Sequence, residues 1–407
     1  MHKFFRRLAA AALATALLTG AALYALQRAI PDVFYVEPGE RLSIASMPWL
    51  SADSRSSAGQ LAVSAPGGNA GGGQTLKLFG LFPIKTVQTV SEDRREVTVC
   101  GTPFGIKMFS NGALVVAFSD LYTEQGSENP AKEAGLRLGD LIVSASGHTV
   151  RNNEELSAAI TGANGGEMEV VYLRDGVRRT CKLTPVRDQD GSYKAGVWVR
   201  DSSAGIGTLT FADTQHGTFA GLGHAISDTD TGTSISLLSG EIVPVNITGC
   251  AAGAAGAPGE LRGDFSGTDV LGTVLANDAT GVYGKLSSTV AGNICPVANS
   301  QEIQPGAAQI LATVEGSTPQ LYDVRIEYVN LNASDPNRNM QIRVTDPDLL
   351  AKTGGIVQGM SGSPILQNGM LVGAVTHVLI NDPTRGYGIF ARTMLEGADR
   401  AAGGETG

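Results

Sequence analysis

GGIVQGMSGSPILQNGMLVGAVTHV, residues Gly354 to Val378, alternates apolar runs with turns of small residues. A turn of small residues, Gly359-Met360-Ser361-Gly362-Ser363-Pro364, lies between apolar runs. Ile356-Val357 leads into it. Ile365-Leu366, then Gln367-Asn368-Gly369, then Met370 to Val375 lead out. An Asn-Gly pair between apolar runs is a strong hairpin signal. The stretch therefore predicts a strand, a glycine-lined bend that presents Ser361, and a hairpin that ties the bend to a sheet.

Such a bend suits acyl-transfer chemistry. A serine hydroxyl is a weak nucleophile and needs a general base within hydrogen-bond reach. The oxyanion it creates needs converging N–H donors. Gly359 and Gly362 have no Cβ, so the backbone can curl closely around a carbonyl. The turn resembles the G-D-S-G-G-P nucleophile loop of chymotrypsin-like serine proteases, with Met360 in place of the acid and Ser363 in place of the second glycine. That resemblance makes Ser361 the nucleophile and the N–H groups of Gly359 and Ser361 the oxyanion hole.

Outward from this stretch, composition sets the bounds. A chain of 407 residues implies two or three domains, and 53 glycines imply many turns, as in all-β folds. A net charge of −9 argues against a nucleic-acid partner, which calls for a basic footprint. Cys100, Cys181, Cys250 and Cys295 form no CxxC pair, so no zinc site and no cofactor are expected. Two cysteines per domain leave one disulfide in each, or buried thiols, equally open.

At the N-terminus, His2, Lys3, Arg6 and Arg7 precede an uncharged run from Leu8 to Leu26. About 20 such residues cross a bilayer, and the basic flank predicts export of everything that follows. Residues 1–27 are thus expected as an uncleaved anchor rather than a signal peptide. Residues 28–78 are expected as a tether, since 51–74 are rich in Gly, Ser and Ala and open to proteolysis. Folded structure is expected from Leu76-Lys77-Leu78-Phe79 onward.

Residues 79–187 read as a small α+β domain with a preceding strand. Asn152 and Glu155 form a capping-box variant opening a helix from Glu154 to Ile160, and Asp175-Gly176 joins a final hairpin. The succession, most of all NPAKEAGLRLGDLIVSASG, resembles a PDZ domain. The resemblance implies that Phe104, Gly105 and Ile106 form the loop that captures a peptide C-terminus.

Residues 190–401 read as short strands and turns, hence all-β. Chymotrypsin-like double barrels are what the resemblance adds, with a cleft between them. Of the five histidines, His2 lies in the anchor, His148 in the PDZ-like part and His216 in a turn. The chain order His, Asp, Ser excludes His377 and selects His224 as base. Carboxylates between base and nucleophile include Asp228, Asp264, Asp269, Asp278, Asp323, Asp346 and Asp348, and spacing does not choose among them.

Together the anchor, KLFGLFPIKTV, CGTPFGIKMF, the PDZ-like part, GLGHAISD and GAVTHVLINDPTRGYGIF resemble the SpoIVB serine peptidases of endospore-forming bacteria. The resemblance implies Ser361 as nucleophile, His224 as base and Asp346 as acid, with Asp269 the substitute. It implies a signalling endopeptidase anchored in the space between forespore and mother-cell membranes. Its substrate would be the extracytoplasmic part of a membrane-anchored regulator of an intramembrane metalloprotease that processes a late sigma factor. Self-cleavage is implied too. A general envelope PDZ-protease and a non-catalytic PDZ scaffold are the alternatives.

Overall fold

The computed structural model describes residues 2–53, 69–123, 126–228, 231–233, 237–265 and 269–403. Helix α1 (His2–Ala29) contains the segment Ala10–Ala29, which is long and apolar enough to cross a membrane and is exposed but for the half-buried Leu26 and Ala29. Its last carbonyls lack intrahelical partners, and Lys85 supplies them, its Nζ donating to the carbonyls of Gln27 and Ile30.

Much of the expected tether is folded. Strands β1 (Val33–Val36), β2 (Leu50–Asp53), β3 (Asn69–Leu78) and β4 (Phe82–Ser91) form a sheet of order β1-β4-β3-β2. Ile30, Phe34, Leu42, Ile44 and Leu50 are buried in the same core as the last barrel. The apolar residues are widely spaced along a polar stretch and show no period, which is why the sequence read as a linker. The Gly/Ser-rich part at residues 54–68 lies outside the described residues.

The remainder is mainly β. The long strand β5 (Pro103–Phe118) runs through two units. Its C-terminal half joins β6 (Leu141–Ala145), β7 (Met168–Arg174) and β8 (Val177–Leu183) in the PDZ-like sheet, order β8-β7-β6-β5. Helix α2 (Asn153–Gly162) packs on this sheet. The Asn152 side chain accepts from the Glu155 N–H, and the Glu155 carboxylate accepts from the Arg151 N–H, so the expected cap is present. Asp175 and Gly176 both adopt positive φ, the geometry of the favoured hairpin turn.

The N-terminal half of β5 belongs to the first barrel. There β9 (Val197–Asp213), β10 (Thr218–Gly221), β11 (Leu237–Ala251), β12 (Gly272–Asp278) and β13 (Gly281–Leu286) complete the ring β5-β11-β12-β13-β10-β9, which β9 closes back onto β5. Phe104, Ile106, Leu209, Phe219, Ile242 and Val274 fill it. Burying each phenylalanine contributes about 2 to 3 kcal/mol.

The second barrel is closed by β14 (Gly306–Ala312), β15 (Gln320–Val329), β16 (Met340–Val344), β17 (Pro364–Gln367), β18 (Met370–Leu379) and β19 (Asp382–Phe390), in the order β14-β15-β16-β19-β18-β17. Asn368 and Gly369 both take positive φ between β17 and β18, the hairpin read from the sequence. Helix α3 (Pro347–Thr353) precedes the Ser361 loop, and α4 (Ala391–Gly403) packs on the first barrel through Met394, Leu395 and Ala398. All four cysteines are free thiols, which settles the choice that the sequence left open.

Candidate active site

The Ser361 loop is held by both barrels. Gly359 and Gly362 adopt left-handed φ values of 95° and 94°. A Cβ on Gly362 would sit 2.1 Å from the Thr208 carbonyl and 2.5 Å from the Leu222 nitrogen, so only glycine allows this approach. Thr208 of the first barrel donates its N–H to the Ser361 carbonyl (3.0 Å) and its hydroxyl to the Gly359 carbonyl (2.9 Å). Thr210 donates its hydroxyl to the Gly362 carbonyl (2.7 Å). Both threonines are buried.

The loop leaves two amides unused. Gln358 donates to Gly259, Met360 to Val357, Gly362 to Val375 and Ser363 to Met360. The N–H groups of Gly359 and Ser361 donate to no acceptor among the described residues. These are the two donors expected of an oxyanion hole.

His224 enters from the first barrel. Beyond β10 the chain makes a left-handed turn at Leu222 (φ 66°) and Gly223 (φ 70°). A Cβ on Gly223 would lie 3.0 Å from the Thr376 side chain and 2.9 Å from that of Ile389. The turn is thus pressed onto β18 and β19, and the His224 ring lies against that of His377 on β18. Its Nδ1 lies 2.8 Å from the Ala225 carbonyl. A carbonyl can only accept, so Nδ1 carries the proton and Nε2 keeps its lone pair, the tautomer a general base requires. Burial pushes the His224 pKa down.

Ser361 Oγ donates to the Thr376 carbonyl at 2.7 Å, and no hydrogen bond joins it to His224. The His377 ring stacks on His224 with centroids 4.8 Å apart and planes tilted by 35°. Burial against its neighbours and the adjoining His224 push the His377 pKa down, while Asp335 works the other way. His377 is itself exposed, so solvent screens part of that shift.

The structure places Asp346 apart from this group. It is the N-cap of α3, its Oδ1 accepting from the N–H groups of Asp348 and Leu349 and its Oδ2 from that of Asp323. No hydrogen bond links it to His224. Asp269 is exposed in the segment just before β12 of the first barrel and makes no described contact with either residue.

The expected carboxylate-binding loop needs correction. Phe104, Gly105 and Ile106 form no open loop. They lie within β5, paired on one side with Gly207, Ile206 and Gly205 and on the other with Pro244, Val243 and Ile242. A strand occupies each flank, so no edge remains for a peptide to extend. The glycine pattern suggested a loop, but a Cβ on Gly105 would meet the Phe265 ring at 2.0 Å, so that glycine serves barrel packing. Sequence reasoning missed Thr208 and Thr210. Their signal is two hydroxyls alternating with Leu209 and Phe211 in a strand buried on both faces.

Comparison with known proteins follows these divisions. Residues 191–395 match the family described as SpoIVB peptidase S55, and residues 107–184 match the PDZ domain family. A stretch of 124 residues is 28% identical to a protein named as a zinc metalloprotease, LL2128, of Lactococcus lactis subsp. lactis (strain IL1403). It covers 30% of this chain and 29% of that protein, so the chain spans less than a third of this relative's length. Among solved structures, the Rv3671c protease from M. tuberculosis in its active form is 17% identical, covering 50% of this chain and 76% of that one, with a TM-score of 0.30. The PDZ domain of the SdrC-like protein (Lmo2051) from Listeria monocytogenes is 19% identical over 22% of this chain and 87% of that one, with a TM-score of 0.18.

Proposed function

The chain belongs to the SpoIVB peptidase S55 family and is a serine peptidase with a PDZ domain, and on that premise we propose that it is a membrane-anchored signalling endopeptidase of sporulation. In this reading α1 holds the catalytic barrels outside the cytoplasm. The substrate is the extracytoplasmic part of a membrane-anchored regulator, whose cleavage releases an intramembrane metalloprotease toward a late sigma factor. The chain also trims its own N-terminal region. Its site faces the space between forespore and mother-cell membranes.

One observation supports the chemistry above all: the two undonated amides, Gly359 and Ser361, lie in the loop of a hydroxyl that bonds the Thr376 carbonyl, and the turn bearing His224 packs on Thr376 and His377 of the same strand. In the proposed sequence Ser361 Oγ turns from the Thr376 carbonyl toward Nε2 of His224. It attacks the scissile carbonyl as Nε2 takes its proton. The negative oxygen of the tetrahedral intermediate lies between the amides of Gly359 and Ser361. His224 then gives the proton to the departing amine, and water releases the acyl group from Ser361 by the same route. The Ala225 carbonyl fixes the histidine tautomer throughout. Asp346 acts as a positioning residue, holding α3 and through it the loop that begins at Gly354.

The test uses the purified full chain in detergent. N-terminal trimming on a gel is expected to proceed in the unaltered chain and to stop in Ser361→Ala and His224→Ala. Persistent trimming in pure Ser361→Ala would remove the peptidase assignment to this serine. Broad cleavage of unfolded proteins would favour a general envelope protease over a signalling one.

A further inference from the structure

The motif KLFGLFPIKTV has no part in the site described above, and its centre is unusual. Phe79, Leu81 and Phe82 stand 69%, 73% and 62% exposed at the tip of the β3–β4 hairpin, and Pro83 beside them is exposed too. Phe79 takes a left-handed φ of 51°. That conformation is uncommon for a bulky side chain and signals strain held for a purpose. A tip built for solvent would carry Asn or Asp there. None of the described residues covers these rings. Trp49, whose carbonyl accepts from the Phe79 N–H, adds a fourth large apolar side chain, 45% exposed.

The place of the hairpin says what would cover it. Gln27 near the end of α1 donates its side chain to the Ile84 carbonyl, and Lys85 is held to Gln27, Ile30 and Asp32. Strand β1, which carries the chain away from α1, runs parallel to β4, with Val33 opposite Gln88 and Tyr35 opposite Val90. Followed backward from Gln88, β4 therefore heads toward the helix, and its tip lies on the helix side of the domain. From Ile84 to Leu81 the strand covers about 10 Å, which a helix spans in about two turns. With α1 running on in line with β1, the tip comes level with the last turns of α1, where Tyr24 and Arg28 pack together. Tyr and Arg beside an apolar span mark the membrane–water interface.

We propose that the tip Phe79-Gly80-Leu81-Phe82 seats in the interfacial layer of the same bilayer that α1 crosses. The hairpin is then a second, rigid attachment, and the domain cannot swing freely about a single helix. The cleft bearing Ser361 is held at a fixed height and attitude above the lipid. The ligand is the acyl–headgroup boundary itself, with no lipid class selected, since the exposed tip carries no charge. This rests on α1 being a membrane anchor and not on the peptidase reading.

The test is made on the full chain with Ser361→Ala, so that self-trimming cannot remove α1. It is reconstituted into phosphatidylcholine vesicles with and without lipids brominated near the head of the acyl chain. With Trp49→Phe and Trp198→Phe in the background, so that one tryptophan reports, tryptophan replaces Leu81 in one variant and, as a control, the exposed Val177 of the PDZ-like hairpin in another. Flotation with the vesicles checks the anchor separately. Brominated lipid is expected to quench the tryptophan at 81 several-fold more than that at 177, and adding Phe82→Asp should reduce the quenching at 81. Equal quenching at the two positions in chains that float would overturn the proposal and leave the tip to a protein partner.

Discussion

At the residue scale, the pair that matters is His224 with His377. Contact at 4.8 Å, with the planes tilted by 35°, sets two imidazoles side by side, a place where a second positive charge is disfavoured. Because burial lowers the His224 pKa, the neutral base persists below the ordinary histidine value of about 6.5. The acid limb of kcat/KM is therefore expected below that value. In His377→Ala the ring is rehydrated, and the limb should move up toward it; a pH profile of peptide cleavage reads the shift. An unmoved limb would mean that His377 does not shape the base. The bend that presents Ser361 was legible because Gly359 and Gly362 take left-handed positions that other residues rarely adopt; the roles of Ser361, His224 and the two amides belong to the proposal. The partner of His224 Nδ1 was not legible, because a backbone carbonyl has no signature in sequence.

At the scale of elements, α3 and the two barrel loops set the geometry. Asp346 caps α3, and Gly354 ends it with a left-handed φ of 71° before the chain turns into the nucleophile loop. Asn caps as well as Asp, whereas Ala forfeits about 1 kcal/mol. Asp346→Asn should thus keep most of its activity and its thermal midpoint. Asp346→Ala should lose both in part, with kcat falling more than KM rises. Equal and complete loss of kcat in the two variants, with folding intact, would show that the charge itself serves the histidine. The hairpins at Asn368-Gly369 and Asp175-Gly176 and the cap at Asn152 were legible because each depends on local φ preferences. The fate of Phe104-Gly105-Ile106 was not, because a glycine that admits a neighbouring ring looks the same in sequence as one that opens a loop.

For the whole molecule, the PDZ-like sheet and the first barrel are continuous through β5 and β9, so a displacement of one is carried by shared strands into the other. Arg200 on β9 pairs with the buried Asp228, four positions beyond His224. Burial pushes the Asp228 carboxyl up, but hydrogen bonds from Thr231 and Arg200 more than offset this and leave it below the ordinary carboxylate value. Its stabilising contribution is complete above the unfolded pKa of about 3.9. It is lost as pH falls through the lower folded value. Asp228→Asn should accordingly cost about 2 kcal/mol at neutral pH, seen as a lower thermal midpoint, with the gap to the unaltered chain closing in strong acid. Domain order was legible from composition and motif. The sharing of strands between domains was not, because β5 reads as two short runs around Ser110-Asn111-Gly112, and only tertiary pairing with β9 joins them. The central claim is that the two barrels bring one hydroxyl and one imidazole into a single reactive pair. Labelling of the full chain with a serine-reactive fluorophosphonate, followed by mass spectrometry of its peptides, tests this most directly. An adduct is expected on Ser361 that disappears in His224→Ala and survives in Asp346→Asn. An adduct on another serine, or one on Ser361 that forms equally well without His224, would contradict it.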